Sequence, residues 1–423
     1  MPLAAILFAF ELILYAVTAA LVIALTIISA VGLLASLLIK PPHYAHRKPH
    51  QGLAPKGQPP FDEDAWLPYE GTPKSDFGLD FVEVEFPATP LVPESRQGPV
   101  RIGNDIFPVI ERYDASGSPV QTNQASFTLG KTPVSKMPGR RVRTEVVPTL
   151  RGWLIKGRQG VWPDQRGVVC VHGGGRDRRE FHRMLPFLHE AGYSVLLFDL
   201  REHGISDGTG RGLDWGREMV FDVDGAVNFV KSPLVGWDYV ALAGTSNGAA
   251  LAGLACGLED GAMWRAVARP RPLIDALILD STYTRPRDGM RAIMETALGE
   301  FPFPWIMSKI TPWLIPLVVA TCRSRLRLGQ LHRKLRKLTS VGLVDVLPYT
   351  RPRPTLIIHG TADRRFPVLH AHDIFNAIPA NHHRKSLLII EGGRHAETFN
   401  VDSASYQRKF LQTLALMGGT KSR

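Results

Sequence analysis

From residue 3 to residue 39 the chain is almost wholly apolar, broken by one charge, Glu11. A helix of ~20 such residues crosses a ~30 Å hydrocarbon layer. Residues 12–39 would reach about 42 Å as a helix, so the run predicts one tilted transmembrane span. A cleaved leader carries positive charge ahead of a short apolar core; here no Lys or Arg precedes Lys40. The pattern divides the chain into an anchor at 1–40, a Pro-rich, aperiodic linker at 41–78, and a folded domain at 79–420.

Within that domain short β-branched runs alternate with helical periodicity. Strands are predicted at 81–86, 152–156, 167–172, 194–200, 240–244, 276–280, 354–359 and 386–391. Runs such as VVCV, VLLF, LILD and TLII are apolar without interruption, as strands buried on both faces are. Helices are predicted at 177–191, 215–230, 247–257, 369–378 and 405–416. The expected fold class is α/β: a mostly parallel eight-stranded sheet with helices on both faces. Residues 89–147 and 283–349 break the rhythm as insertions, and the second follows a strand end, where a cap covers an active site.

Composition narrows the class. Hydrophobic residues at 44% and charged ones at 21% exclude a disordered chain. The net charge of +11 suits anionic surfaces. Cys170, Cys256 and Cys322 lie far apart, which argues against a disulfide framework or a cysteine-rich zinc module.

The candidate chemistry sits at strand ends. Gly244-Thr245-Ser246-Asn247-Gly248 joins the strand VALA to a helix of small residues, a turn that presents a serine hydroxyl at a helix head. A serine nucleophile needs a base, and the base an orienting acid. Asp363 follows TLII in His359-Gly360-Thr361-Ala362-Asp363, and His395 follows LLII in Glu391-Gly392-Gly393-Arg394-His395. Asp280, after LIL, is the alternative acid. His172-Gly173-Gly174-Gly175 follows VVCV; glycines let backbone N–H groups approach a developing oxyanion, and Gly174 and Asn247 are the candidate donors.

These residues resemble the α/β-hydrolase superfamily of serine hydrolases, near its membrane-anchored BEM46-like and serine aminopeptidase/lysophospholipase-like members. HGGGRDRREF, FDLREHGISDG, GTSNG, IIHGTADRRFP and GGRH carry the resemblance, which spans most of residues 80–417. It implies an α/β-hydrolase fold with a helical cap, Ser246 as nucleophile, His395 as base, Asp363 as acid and an oxyanion hole from Gly174 and Asn247. Two departures stand out: an insertion of nearly sixty residues, 89–147, lies between the first two strands, and Glu202 occupies a position where the family carries Gly.

In the cap, an aromatic and Pro-rich apolar stretch precedes Arg323, Arg325, Arg327, Arg333, Lys334, Arg336 and Lys337. That pairing suits anionic lipid headgroups or an acyl chain, or a solvated cap face. No aromatic residue interleaves the cations, so nucleic acid is not an expected partner. The expectation is a membrane-anchored serine hydrolase acting on an ester or thioester of a small-molecule or lipid-like acyl substrate, without metal or organic cofactor. Lys40, Arg47 and Lys48 place the domain on the cytoplasmic side. A peptidase, amidase or acyltransferase with the same triad, and a catalytically silent membrane-tethered binding protein, are the alternatives.

Overall fold

The apolar runs assemble into one sheet because their carboxyl ends and their burial coincide. The computed structural model describes residues 71–89, 99–107, 147–208, 212–216, 218–262, 272–299, 341–382 and 384–418, with residues 15, 17, 18, 21, 22, 24–33, 35, 309, 313–318 and 321. In chain order the strands are β1 (Phe81–Pro87), β2 (Val100–Ile102), β3 (Asp105–Phe107), β4 (Thr149–Ile155), β5 (Arg166–Val171), β6 (Ser194–Phe198), β7 (Tyr239–Thr245), β8 (Ala276–Asp280), β9 (Thr355–Gly360) and β10 (Lys385–Ile390). Their order across the sheet is β10-β9-β8-β7-β5-β6-β4-β1-β2-β3.

From β10 to β6 each neighbour is parallel; from β6 to β3 each is antiparallel. The expected mostly parallel, eight-stranded sheet is thus corrected to a mixed sheet of ten strands among the described residues. The extra pair comes from the 89–147 insertion. Gly103 and Asn104 close a two-residue turn between Ile102 and Asp105, Gly103 taking a φ of 59°, as tight hairpins require. Val84 of β1 pairs with Ile102, so the hairpin widens the sheet edge.

Period-2 alternation splits each central strand between two cores. Val169, Val171, Leu242, Leu277, Leu279 and Ile357 face one cluster, which includes α3 (Val220–Lys231) and α4 (Asn247–Glu259). Val168, Cys170, Ala241, Ala243, Ile278 and Ile358 face the other, with α2 (Leu185–Glu190) and α7 (Ser403–Ala415). The continuous apolar runs are explained by this double burial. Further helices are α1 (Pro73–Phe77), α5 (Pro286–Gly299) and α6 (Leu369–Ala377), with single-turn helices at Leu343–Val346 and Thr398–Val401 and a 3-10 turn at Leu347–Tyr349.

Three expected elements differ. The 177–191 helix is a 3-10 stretch, Arg178–Met184, before α2. The 215–230 helix starts late: the Asp214 carboxylate accepts from the N–H groups of Glu218 and Met219 at 2.6 and 3.2 Å, and Trp215 and Gly216 take φ of 57° and 95°. Inside the stretch read as a linker, Thr72 caps α1, and Asp76 Oδ2 lies 3.0 Å from His182 Nδ1, tying α1 to the domain.

The apolar run 3–39 lies mostly outside the described residues. Those described in it are helical; Leu21, Leu25 and Ile28 are exposed, whereas Val31 and Ala35 are buried. Among the described residues no helix is long and apolar enough to cross a membrane. The basic run from Arg323 to Lys337 lies outside the described residues.

Candidate active site

The turn after β7 is steric in origin. A side chain on Gly244 would collide with the backbone of Gly248 and Ala249, and one on Gly248 with the carbonyl of Val171. Both positions must be glycine because α4 begins directly over the ends of β5 and β7. Ser246, between them, takes φ 56° and ψ −119°, a conformation that costs a non-Gly residue about 1–3 kcal/mol. Its backbone is fixed on both sides: its N–H donates to Asp280 O at 2.8 Å, and its carbonyl accepts from Thr282 Oγ1 at 2.9 Å.

The loops after β9 and β10 meet this turn. His395 Nε2 lies 3.0 Å from Ser246 Oγ, and His395 Nδ1 lies 2.8 Å from Asp363 Oδ2. The carboxylate can only accept, so the proton of neutral His395 sits on Nδ1 and Nε2 faces the hydroxyl. Asp363 Oδ1 accepts from the N–H groups of Arg365 and Phe366, each at 2.8 Å. Burial raises the Asp363 pKa, but the charges and hydrogen bonds of His395 and His359 outweigh it and hold the group well below the usual carboxylate range. Burial keeps His395 below the ordinary imidazole value, against the Asp363 charge that raises it. Phe366 packs edge-on to the His395 ring, centroids 4.9 Å apart.

Asp280, the alternative acid, is engaged elsewhere. It accepts from Ser281 Oγ at 2.8 Å, Thr398 Oγ1 at 2.9 Å and Tyr406 OH at 3.2 Å.

The glycine loop leaves one amide open. Gly173 N–H donates to Glu180 Oε2 at 2.6 Å, Gly175 N–H to His203 Nε2 at 3.2 Å, and Arg176 N–H to Gly173 O at 3.2 Å. Among the described residues Gly174 N–H has no such partner. A Cβ on Gly174 would stand 3.7 Å from Asn247 Cβ, so Gly174 lies beside the first residue of α4, whose N–H has no acceptor within the helix. Tyr283 OH donates to Asn247 Oδ1 at 2.7 Å and fixes that side chain.

Residues 163–402 match the hydrolase family described as serine aminopeptidase, S33. The chain belongs to that family. Its fold is the α/β-hydrolase fold, with the sheet mixed as described above. No curated protein matches the chain. Among solved structures it is similar to the Pyrococcus furiosus esterase Pf2001, at 21% identity over 64% of this chain and 88% of that one, TM-score 0.43. It is also similar to the α/β hydrolase GrgF from Penicillium sp. sh18, at 19% identity over 64% and 96%, TM-score 0.44. A third similar structure is Est1E from Butyrivibrio proteoclasticus with ferulic acid bound, at 17% identity over 63% and 96%, TM-score 0.43.

The glycine expected at the Glu202 position from the resemblance has a conformational reason. Glu202 is buried and takes a φ of 66°, where a Cβ is strained. The loop is held by neighbours: Arg201 pairs with Asp222 at 2.6 Å and Glu218 at 3.4 Å, and His203 Nδ1 donates to Arg201 O at 2.8 Å. The sequence assigned no role to His172, His203, Glu180 or His359. His172 Nε2 accepts from Leu200 N–H at 3.0 Å and its Nδ1 donates to Gly173 O at 2.9 Å, bracing the glycine loop. Only the HGTAD and HGGG motifs signalled the two histidines that open them.

Proposed function

We propose that this chain is a membrane-anchored serine hydrolase that cleaves an ester or thioester, with a lipid-like acyl group as substrate. The single observation behind this reading is the chain of contacts from Ser246 Oγ through His395 to Asp363, at 3.0 and 2.8 Å. His395 Nε2 takes the Ser246 proton as Oγ attacks the carbonyl carbon, and Asp363 stabilises the imidazolium. The N–H groups of Gly174 and Asn247 hold the oxygen of the tetrahedral intermediate; one such donor is worth about 10²–10³ in rate. His395 returns the proton to the leaving group, and the same residues then direct water onto the acyl-enzyme.

The apolar run 3–39 supports the anchor, and Lys40, Arg47 and Lys48 support a cytoplasmic domain. Trp313 and Leu317, exposed on the cap, support contact with a lipid surface. Protease access to residues 41–76 in sealed vesicles tests the orientation; cleavage from the non-cytoplasmic side contradicts it.

The family's description as serine aminopeptidase favours a second reading, an amidase or peptidase using the same triad. 4-Nitrophenyl esters of graded acyl length, assayed beside aminoacyl 4-nitroanilides, separate the two. Ester turnover that vanishes in Ser246→Ala is expected; turnover of anilides alone would replace the ester reading.

A further inference from the structure

The amide that would hold the oxyanion, Gly174 N–H, sits in a run of three glycines, the sequence with the greatest backbone freedom. A rotated peptide there would turn a carbonyl oxygen toward the developing negative charge and undo the site. The run also passes directly against the nucleophile: a Cβ on Gly173 would stand 3.3 Å from Ser246 Cβ and 3.5 Å from Glu180 Oε2.

Each of the three peptide planes around Gly174 is held by a different side chain. Gly173 N–H, in the plane before, donates to Glu180 Oε2 at 2.6 Å. In the middle plane Gly173 O accepts from His172 Nδ1 at 2.9 Å and from Arg176 N–H at 3.2 Å. Gly174 N–H belongs to that same planar trans peptide and so points the opposite way. Gly175 N–H, in the plane after, donates to His203 Nε2 at 3.2 Å. His172 and Arg176 are part of the loop. Glu180 and His203 reach it from outside, one from the 3-10 stretch Arg178–Met184 and the other from the loop after β6.

Both outer anchors stay acceptors. His203 Nδ1 donates to Arg201 O at 2.8 Å, which leaves Nε2 without a proton. Burial, with the His172 charge adding to it, pushes His203 down to about 3, so the ring stays neutral. The two imidazoles pack with centroids 4.9 Å apart. The Glu180 carboxyl offers an acceptor oxygen whether ionised or protonated. Through His203 the Arg201-Glu202-His203 turn is tied to the glycine loop.

The geometry assigns Glu180 and His203 as positioning residues for the oxyanion hole: by fixing the peptides on either side, they keep Gly174 N–H turned toward the oxygen that forms when Ser246 attacks. The assignment rests on Ser246 as the nucleophile and Gly174 as an oxyanion donor.

The test is kinetics on Glu180→Leu, Glu180→Gln and His203→Phe in the intact chain, with a 4-nitrophenyl ester and an alkyl trifluoromethyl ketone, whose adduct with a serine carries an oxyanion. Glu180→Leu and His203→Phe should each lower kcat roughly tenfold, a fraction of what one lost donor costs. KM should change little, and the ketone should bind more weakly by a like factor. Glu180→Gln keeps an acceptor oxygen and should recover most of both losses. Folded Glu180→Leu and His203→Phe that match wild type in kcat and ketone affinity overturn the assignment. A change confined to KM, or Glu180→Gln as impaired as Glu180→Leu, overturns it too. If wild type turns over no ester and binds no ketone, the nucleophile reading fails. Hydrogen exchange of residues 172–176 then decides the anchoring alone: faster exchange in Glu180→Leu and His203→Phe upholds it, and unchanged exchange overturns it. Because Glu180 is only partly buried, Glu180→Leu carries the test should His203→Phe not fold.

Discussion

His359 Nε2 lies 3.4 Å from Oδ2 of Asp363, the oxygen that also faces His395. The same nitrogen donates to Phe366 O at 2.8 Å, so it carries the proton. His359 therefore braces the carboxylate and the loop that seats Phe366 against His395. A hydrogen bond to a charged group contributes about 1.5–3 kcal/mol. His359→Leu should lower kcat roughly tenfold or more, with KM little changed. Steady-state kinetics on a folded variant checks this; an unaltered kcat would leave His359 a packing residue only.

The pH profile follows from His395. It must be neutral to accept the Ser246 proton, and burial holds it below the ordinary value of about 6.5. Activity is full above the folded pKa and lost as pH falls through it. The acid limb of kcat/KM should have a midpoint below about 6.5; a midpoint clearly above that value contradicts the environment described for the imidazole.

Arg201 supports stability rather than chemistry. It is buried between Asp222 and Glu218. Removing one partner of a buried pair leaves an uncompensated charge and costs about 3–5 kcal/mol. Arg201→Met should lower the unfolding free energy by that order, seen as a lower urea midpoint at unchanged slope. A loss under about 1 kcal/mol would show that the acids find other partners.

Much of this arrangement was legible in the sequence, for a physical reason. The strands ahead of Ser246, Asp363 and His395 are uniformly apolar, so their ends could be placed, and parallel strands bring those ends to one edge. What stayed hidden depends on contacts through space or on short signals. The Gly103-Asn104 turn was buried in a Pro- and Gly-dense insertion. Asp214 capping Glu218 and Met219, and Asp280 satisfied by Thr398 and Tyr406, connect residues that no periodicity links. Glu202 shows the converse: the departure from glycine was visible, but its meaning needed the φ of 66°.

Glu397 gives a stability test. It is buried, and its pKa is pushed up to about 7 from an ordinary 4.5, chiefly by burial. Between those values the folded state holds a proton that the unfolded state has released, so stability falls as pH rises through this window. Glu397→Gln should flatten that decline. Parallel unfolding curves for wild type and variant from pH 4.5 to 7.5 check it; identical slopes would mean that Glu397 ionises alike in both states.

The account's central claim concerns the Ser246 hydroxyl. A fluorophosphonate probe reacts with a serine only where a base and an oxyanion site activate it, and peptide mass mapping then locates the adduct. The account predicts one adduct, on Ser246, absent in Ser246→Ala and greatly slowed in His395→Gln. A folded wild-type protein that acquires no adduct, or acquires it on another serine, contradicts the account.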